Sequence, residues 1–257
     1  MHVLITNDDG IEAAGFLALE AELQRAGVEV TVVAPDRERS ASSHSMSLGQ
    51  TLKIHPRGPG RYAVTGTPVD NVNLALNYLL RERRPDLVVA GVNRGANLGC
   101  DVNYSGTVAA AREAAMLGVP GLAVSLETFR PDPDFGPASR FAVALLGFLQ
   151  AEGLPERTYL NVNVPDLPAA EIKGVRLTVQ GRRRYQNVVE VMADAEGASC
   201  YRIGGTVAGG EPIPDSDILA VAAGFISVTP LRLDYTHHLS REWLLERWPG
   251  DGYKPWK

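Results

Sequence analysis

HVLITNDDGIEAAGFLALEAELQRAGVEVTVVAP, residues 2–35, decides the architecture. Val3 to Thr6 is a short apolar run that reads as a buried parallel strand. Phe16, Leu19, Leu23 and Ala26 then recur at helical spacing, giving one apolar face, and Gly27 ends that helix. Val28 to Ala34 reads as a second buried strand, closed by Pro35. A strand–helix–strand opening of this kind implies a right-handed crossover and a mostly parallel sheet.

Outward from this unit the rhythm continues. Asp36 to Ser47 is a long polar loop without periodicity, and long loops in compact domains tend to carry function. Leu52–Ile54 and Tyr62–Thr65 read as short strands around a Pro-Arg-Gly-Pro-Gly turn, and Pro68 starts a helix through Val72, Leu76 and Leu79. Leu87–Val92 is the clearest buried strand, followed by the glycine-punctuated loop NRGANLGCDVNYSGT, residues 93–107, and a helix of small residues from Thr107 to Leu117. Leu122–Ser125 and Tyr159–Val164 are further strands, flanking a proline-rich loop over Arg130–Pro137 and a helix marked by Phe141, Leu145 and Phe148. From Val175 the texture changes to short alternating segments: Val175–Val179, Val188–Met192, Tyr201–Ile203 and Phe225–Val228. These suggest hairpins in an arm, with a short helix near Trp243–Trp248 and a loose tail. The expected division is a catalytic core over 1–174, completed by the strand near 225–230, and a C-terminal β-hairpin arm over 175–257 that serves oligomerisation.

The chain has 257 residues, of which 45% are hydrophobic, so a large α/β core is within reach. Lys plus Arg number 25 against 30 Asp plus Glu, a net charge of -5 that argues against binding a nucleic-acid duplex. No apolar run approaches the roughly 18 residues of a membrane span, and the first residues do not form a signal peptide. Cys100 and Cys200 have no metal-type spacing and make no disulfide framework. The expectation is a cytoplasmic protein without a membrane partner.

Ligands of open parallel sheets bind where strands end and loops begin. Three such loops here are unusually polar: TNDDG, DRERSASSHS, and NRGANLG with the following SGT. Asp8 and Asp9 leave the first strand directly, and Gly10 lets the chain turn so that both carboxylates can face one site. Two carboxylates so close repel unless a cation lies between them, and oxygen ligands suit Mg²⁺ or Mn²⁺. The plainer alternative makes Asp9-Gly10 a turn and Asp8 a helix cap. Aspartyl-phosphate phosphatases carry two acids separated by one residue, which the adjacent pair does not match. Ser40 could complete a metal shell and His44 could protonate a leaving alkoxide, or the loop could be mere solvated surface. Asn93 and Asn97 are neutral oxygen donors beside glycines, and Ser105-Gly106-Thr107 offers hydroxyls and a helix N-terminus to an anion. Ser105 could equally be a simple cap. Asp70, after Thr67-Pro68, reads best as a first-turn acid complementing the helix dipole. Arg182, Arg183, Arg184 and Tyr185 form the one basic cluster, suited to phosphate, to a stacked base or to solvent.

In combination, TNDDGI, VVAPDRERSASSHS, TGTPVDN, GVNRGANLG, YSGTVAAAREAA, NVNVP, GRRRY and GFISVTPL resemble the SurE family, the stationary-phase survival proteins that act as 5′/3′-nucleotidases. The resemblance spans about residues 2–230, in order. It implies a Rossmann-like α/β fold, a mostly parallel sheet flanked by helices. It also implies one divalent metal ion, Mg²⁺ or Mn²⁺, and hydrolysis of nucleoside 5′- and 3′-monophosphates and of short polyphosphate. The family's metal ligands fall on Asp8, Asp9, Ser40 and Asn93, and its phosphate-binding segment on Ser105, Gly106 and Thr107. It further implies a homodimer or homotetramer built with exchanged C-terminal segments. Asn71 stands where many members carry cysteine. The expected catalytic groups are Asp8 and Asp9, with His44 as leaving-group acid, and Asn93 and Asn97 are expected beside the phosphate. A non-catalytic nucleotide-sensing module is the competing reading; it would need the phosphate cradle but not the metal shell.

Overall fold

The computed structural model of the chain describes residues 1–193, 199–248 and 250; residues 194–198, 249 and 251–257, which hold most of the expected tail, lie outside them. In chain order the elements are β1 (His2–Thr6), α1 (Ala14–Arg25), β2 (Glu29–Pro35), β3 (Ile54–Gly58), β4 (Arg61–Val64), α2 (Pro68–Leu74), β5 (Leu87–Arg94) and α3 (Gly106–Met116). There follow β6 (Gly121–Glu127), α4 (Gly136–Glu152), β7 (Thr158–Pro165), β8 (Val175–Leu177), β9 (Arg183–Gln186), β10 (Val189–Ala193), β11 (Ser199–Ile203), β12 (Thr206–Gly210), α5 (Asp217–Ala222), β13 (Ile226–Arg232) and α6 (His238–Leu245).

Nine strands form one sheet in the order β3-β4-β2-β1-β5-β6-β7-β13-β8. The pairs from β4 through β2, β1, β5 and β6 to β7 are all parallel. Parallel strands covered on both faces are apolar throughout, and β1 shows the consequence. Val3 and Ile5 pack with Phe16, Leu19 and Leu23 of α1 and Leu146 of α4. Leu4 points to the other face, into a cluster with Val72 of α2, Leu76 just beyond it, and Ala110 and Ala114 of α3. Burying each large aliphatic side chain contributes about 1.5–3 kcal/mol, so these two layers dominate the stability. The alanines of α3 let that helix lie close on the sheet, which places its first turn against the end of β1.

Three features differ from the sequence expectation. Pro56, Arg57 and Gly58 lie inside β3 rather than in a turn. This is tolerable because β3 is an edge strand, where a residue without an N–H leaves no partner unsatisfied. β8 does not form a hairpin of the arm but enters the main sheet, parallel to β13, while β13, the segment expected near 225–230, lies antiparallel to β7. The arm itself consists of two antiparallel ribbons, β9 with β12 and β10 with β11. Finally, the helix after Pro68 stays α-helical only to Leu74 and continues as a wider π turn over Ala75–Leu79.

Asp70 closes a capping box with Thr67 and also accepts hydrogen bonds from the backbone N–H and the hydroxyl of Ser47, 2.9 and 2.8 Å away. It therefore anchors the end of the long polar loop. Its neighbour Asn71 is fully buried, and neither its Nδ2 nor its Oδ1 has a hydrogen-bond partner among the described residues. A buried amide without partners costs about 1–3 kcal/mol. Cysteine fills nearly the same volume without that burden, so Asn71→Cys is expected to raise stability by about 1–2 kcal/mol in urea unfolding. A loss of stability would show that the amide is satisfied.

Candidate metal and phosphate site

The three polar loops meet at the C-terminal ends of β1, β2 and β5, and Asp8 and Asp9 are where they are tied together. Gly10, at φ +103°, takes a conformation that side chains disfavour and turns the chain after β1. The Asn7 side chain donates to the carbonyl of Gly10 at 2.7 Å and fixes the turn. The Asp8 carbonyl accepts from the Arg39 N–H at 2.7 Å, drawing in the second loop. Asp9 Oδ2 accepts from the Arg94 N–H at 3.2 Å, drawing in the third.

Asp8 is buried and sits at the N-terminus of α3. Its carboxylate accepts from the Thr107 hydroxyl and, at 3.2 Å, from the Thr107 N–H. Gly106 makes this approach possible: a Cβ there would lie 2.6 Å from Ser42 Oγ and 3.0 Å from Asp8 Oδ2. Burial pushes the Asp8 carboxyl up, against the pull of the Thr107 hydroxyl and the backbone N–H groups around it. Asp9 is pushed up to about 6, first by burial and then by the charge of Asp8, while the Arg94 N–H pulls it down. The pair resists carrying two charges unless a positive charge compensates them.

Asp8, Asp9, Ser40 and Asn93 line one cavity of about 610 Å³. The pairing between β5 and β6 slips between Ala90 and Asn93, and this irregularity re-aims Asn93. The Asn93 Nδ2 donates to the Gly95 carbonyl at 2.8 Å, leaving Oδ1 toward Thr107. The Ser40 hydroxyl donates a hydrogen bond to Glu38 Oε1 at 2.7 Å and keeps its lone pairs free. The set thus offers two carboxylates and two neutral oxygens whose own protons are already engaged elsewhere. That is the chemistry a hard divalent cation requires, and Asp8, Asp9, Ser40 and Asn93 fit one.

The other expected site residues divide. Ser105 lines the same cavity, and its hydroxyl also caps α3 by accepting from the Val108 N–H at 3.1 Å. Gly106 and Thr107 are buried behind Asp8, and both donors of Thr107 are spent on its carboxylate. Asn97 borders the cavity, but its Nδ2 donates to Ser125 Oγ at 2.7 Å. Its backbone is clamped by Asn161 and Asn163: the Asn97 N–H donates to Asn163 Oδ1 at 2.8 Å, and both amides donate to the Asn97 carbonyl. His44 is not brought to this cluster. Its Nε2 pairs with Glu113 Oε2 at 2.9 Å, and it lines a different cavity, beside α3.

Sequence reasoning missed Asp101 and Tyr104. Asp101 accepts from Arg183 Nη1 at 2.9 Å and from the Tyr185 hydroxyl at 2.6 Å, which draws the arm over the mouth of the cavity. Tyr104, Tyr185, Val188 and Ile203 give that mouth an aromatic and apolar rim. The signal was present in Arg183 and Tyr185, but not which carboxylate they would find 82 and 84 residues away.

Side chains that orient a ligating carboxylate typically change metal affinity 10- to 100-fold. Thr107→Val keeps the shape and removes the hydroxyl that fixes Asp8, so it is expected to weaken Mn²⁺ binding about tenfold by calorimetry. Unchanged affinity would mean that Asp8 is oriented by something else.

The sequence profile described as Survival protein SurE matches residues 3–187. A protein of Geobacter sulfurreducens named 5′-nucleotidase SurE is 47% identical over 255 residues, covering 99% of this chain and 96% of its own length. Another of that name, from Syntrophotalea carbinolica, is 49% identical over 250 residues, covering 96% of this chain and 97% of its own. The crystal structure of the SurE protein from Aquifex aeolicus superposes with a TM-score of 0.86 at 39% identity, over 96% of this chain and 99% of that one. With more than half of its length matched by the family profile and near-complete relatives at this identity, the chain belongs to the SurE family.

Proposed function

We propose that this protein is a divalent-metal-dependent phosphomonoesterase that hydrolyses nucleoside 5′-monophosphates to nucleoside and phosphate. The observation that carries the reading is the adjacent pair Asp8 and Asp9 facing one cavity with Ser40 and Asn93, in a chain whose full-length relatives are named 5′-nucleotidases. When bound, Mg²⁺ or Mn²⁺ would polarise a phosphate oxygen and lower the pKa of a water molecule. The protein's part is positioning and charge, which is what phosphoryl transfer chiefly demands. Asp8 and Asp9 hold the cation, with Thr107 orienting Asp8. Ser40 and the Asn93 Oδ1 complete the cation's oxygen set, Ser105 faces the phosphate, and Asn97 keeps that loop in place. A cavity of about 610 Å³ is of the size that accepts a nucleotide, and the rim of Tyr104 and Tyr185 is suited to a base. The resemblance of its motifs to the 5′/3′-nucleotidases extends the reading to nucleoside 3′-monophosphates and short polyphosphate. With His44 held by Glu113, we assign the leaving-group proton to no histidine.

The test is phosphate release from adenosine 5′-monophosphate by the purified chain, with and without chelator. Release is expected to stop in excess EDTA and to return with Mg²⁺ or Mn²⁺. Binding without turnover under every metal condition would instead make the chain a nucleotide sensor, and full turnover in metal-free protein would refute the metal's role.

We further infer a homodimer or homotetramer assembled through the C-terminal region. Its support is apolar surface that no other part of the described residues covers. No residue of α6 is buried; Trp243 is 56% and Trp248 57% exposed, and Ile203 on the arm is 84% exposed. Monomeric proteins rarely leave such clustered apolar surface to water. Replacing Trp243, Leu245 and Trp248 together by Glu is expected to reduce the mass seen by light scattering to that of a single chain. An unchanged oligomer, or a wild-type monomer, would contradict this.

A further inference from the structure

Behind the Asp8 cluster, α3 borders a second cavity of about 190 Å³. Its wall carries two guanidinium groups, Arg112 and Arg232, with His44, Gln180, Tyr159 and Tyr235, and includes no carboxylate. Arg232 is occupied, donating to the carbonyls of Asp234 and Thr236 at 2.8 and 3.1 Å. Arg112 is not. Among the described residues it has no ion pair and no hydrogen bond, its Nε is buried without a partner, and its one contact of note is the face of Tyr235, 4.3 Å from the ring centre. The one acid nearby, Glu113, is taken by His44 at 2.9 Å and by Asn73 at 3.1 Å. His44 Nδ1, its Nε2 being engaged with Glu113, is likewise buried without a partner. Tyr159 is pushed up to about 12 by burial, then by Tyr235, so its phenol keeps its proton. A partly buried guanidinium with no ion pair among the described residues, whose charge is felt by Glu113 but not paired with it, beside the protonated phenol of Tyr159, is an arrangement that favours an anion.

We propose that this cavity binds a single phosphate-class oxyanion, held by Arg112 and Tyr159 and distinct from the Asp8 site. Its volume admits a free ion and not a whole nucleotide, which would need space like that of the larger cavity. The two sites share structure. Ser43 and His44 follow Ser40 on one loop, and α3 carries Arg112 one face away from the turn that holds Asp8. Free phosphate, the product of the proposed reaction, would thus bear on the elements that shape the metal cluster. The site itself needs neither metal nor turnover.

The test is calorimetric titration of inorganic phosphate into the full chain in chelator, beside an Asp8→Asn/Asp9→Asn variant and Arg112→Gln. Saturable binding of one phosphate per chain is expected to persist in the Asp8→Asn/Asp9→Asn variant. It is expected to weaken about tenfold or more in Arg112→Gln, the loss typical of a charge-assisted contact. Should Arg112→Gln not fold, Arg112→Lys, which loses the planar fork, is read in its place with the same direction expected. Adenosine 5′-monophosphate is not expected to compete in the Asp8→Asn/Asp9→Asn variant; competition would give the cavity to the monoester and overturn the assignment. Absence of saturable binding, equal affinity in the Arg112 variants, or loss of all binding with Asp8 and Asp9 would equally overturn it.

Discussion

The carboxylate of Asp8 at the start of α3 is the contact on which the site depends. It joins the end of β1 to a helix that begins 98 residues later in the chain, through the hydroxyl and the N–H of Thr107. A helix N-terminus favours negative charge, and here a side chain of the protein itself supplies it. Once Asp8 is held, its carbonyl fixes the second loop through Arg39, and its neighbour Asp9 fixes the third through Arg94. The burial that makes this junction rigid also works against its charge, since both carboxyls are pushed up despite the donors around them. A rigid, desolvated pair of acids is a poor resting state alone and a good one around a cation.

This junction changes the role of a familiar sequence pattern. Ser-Gly-Thr before an alanine-rich helix reads as a phosphate cradle, but Gly106 and Thr107 face Asp8 in the structure, and Ser105 alone of the three reaches the cavity. Backbone donors at a helix start are indifferent to which anion takes them. Only the approach of β1, permitted by the missing side chain at Gly106, decides that the anion is Asp8.

Much of the architecture was legible because it is local. The apolar runs at Val3–Thr6 and Leu87–Val92 and the helical spacing of Phe16, Leu19 and Leu23 each need only near neighbours, and each corresponds to an element of the structure. What was not legible is pairing over distance. Val175–Leu177 alternates as an arm strand would, yet it enters the main sheet beside β13, and nothing within the segment declares its partner. The same holds at the site. The residues that meet around Asp8 could be picked out by type, but His44 could not be placed, because its direction follows from Glu113, 69 residues on. The two asparagines of NVNVP, on an otherwise apolar strand, were the visible trace of the clamp on Asn97.

Two sides of α3 are set to do different work: the acid pair proposed to hold a metal lies at its N-terminal end, and a cationic cavity lies along its flank. The cation proposed between Asp8 and Asp9 is what the rest of the mechanism needs. Calorimetric titration of Mn²⁺ into metal-free protein, beside the isosteric Asp9→Asn variant, tests it most directly. One ion is expected to bind per chain, and its binding is expected to be lost, or weakened at least about a hundredfold, in the variant, since removing one of two paired carboxylates takes away half of the compensating charge. Mn²⁺ binding of equal strength in Asp9→Asn would contradict it.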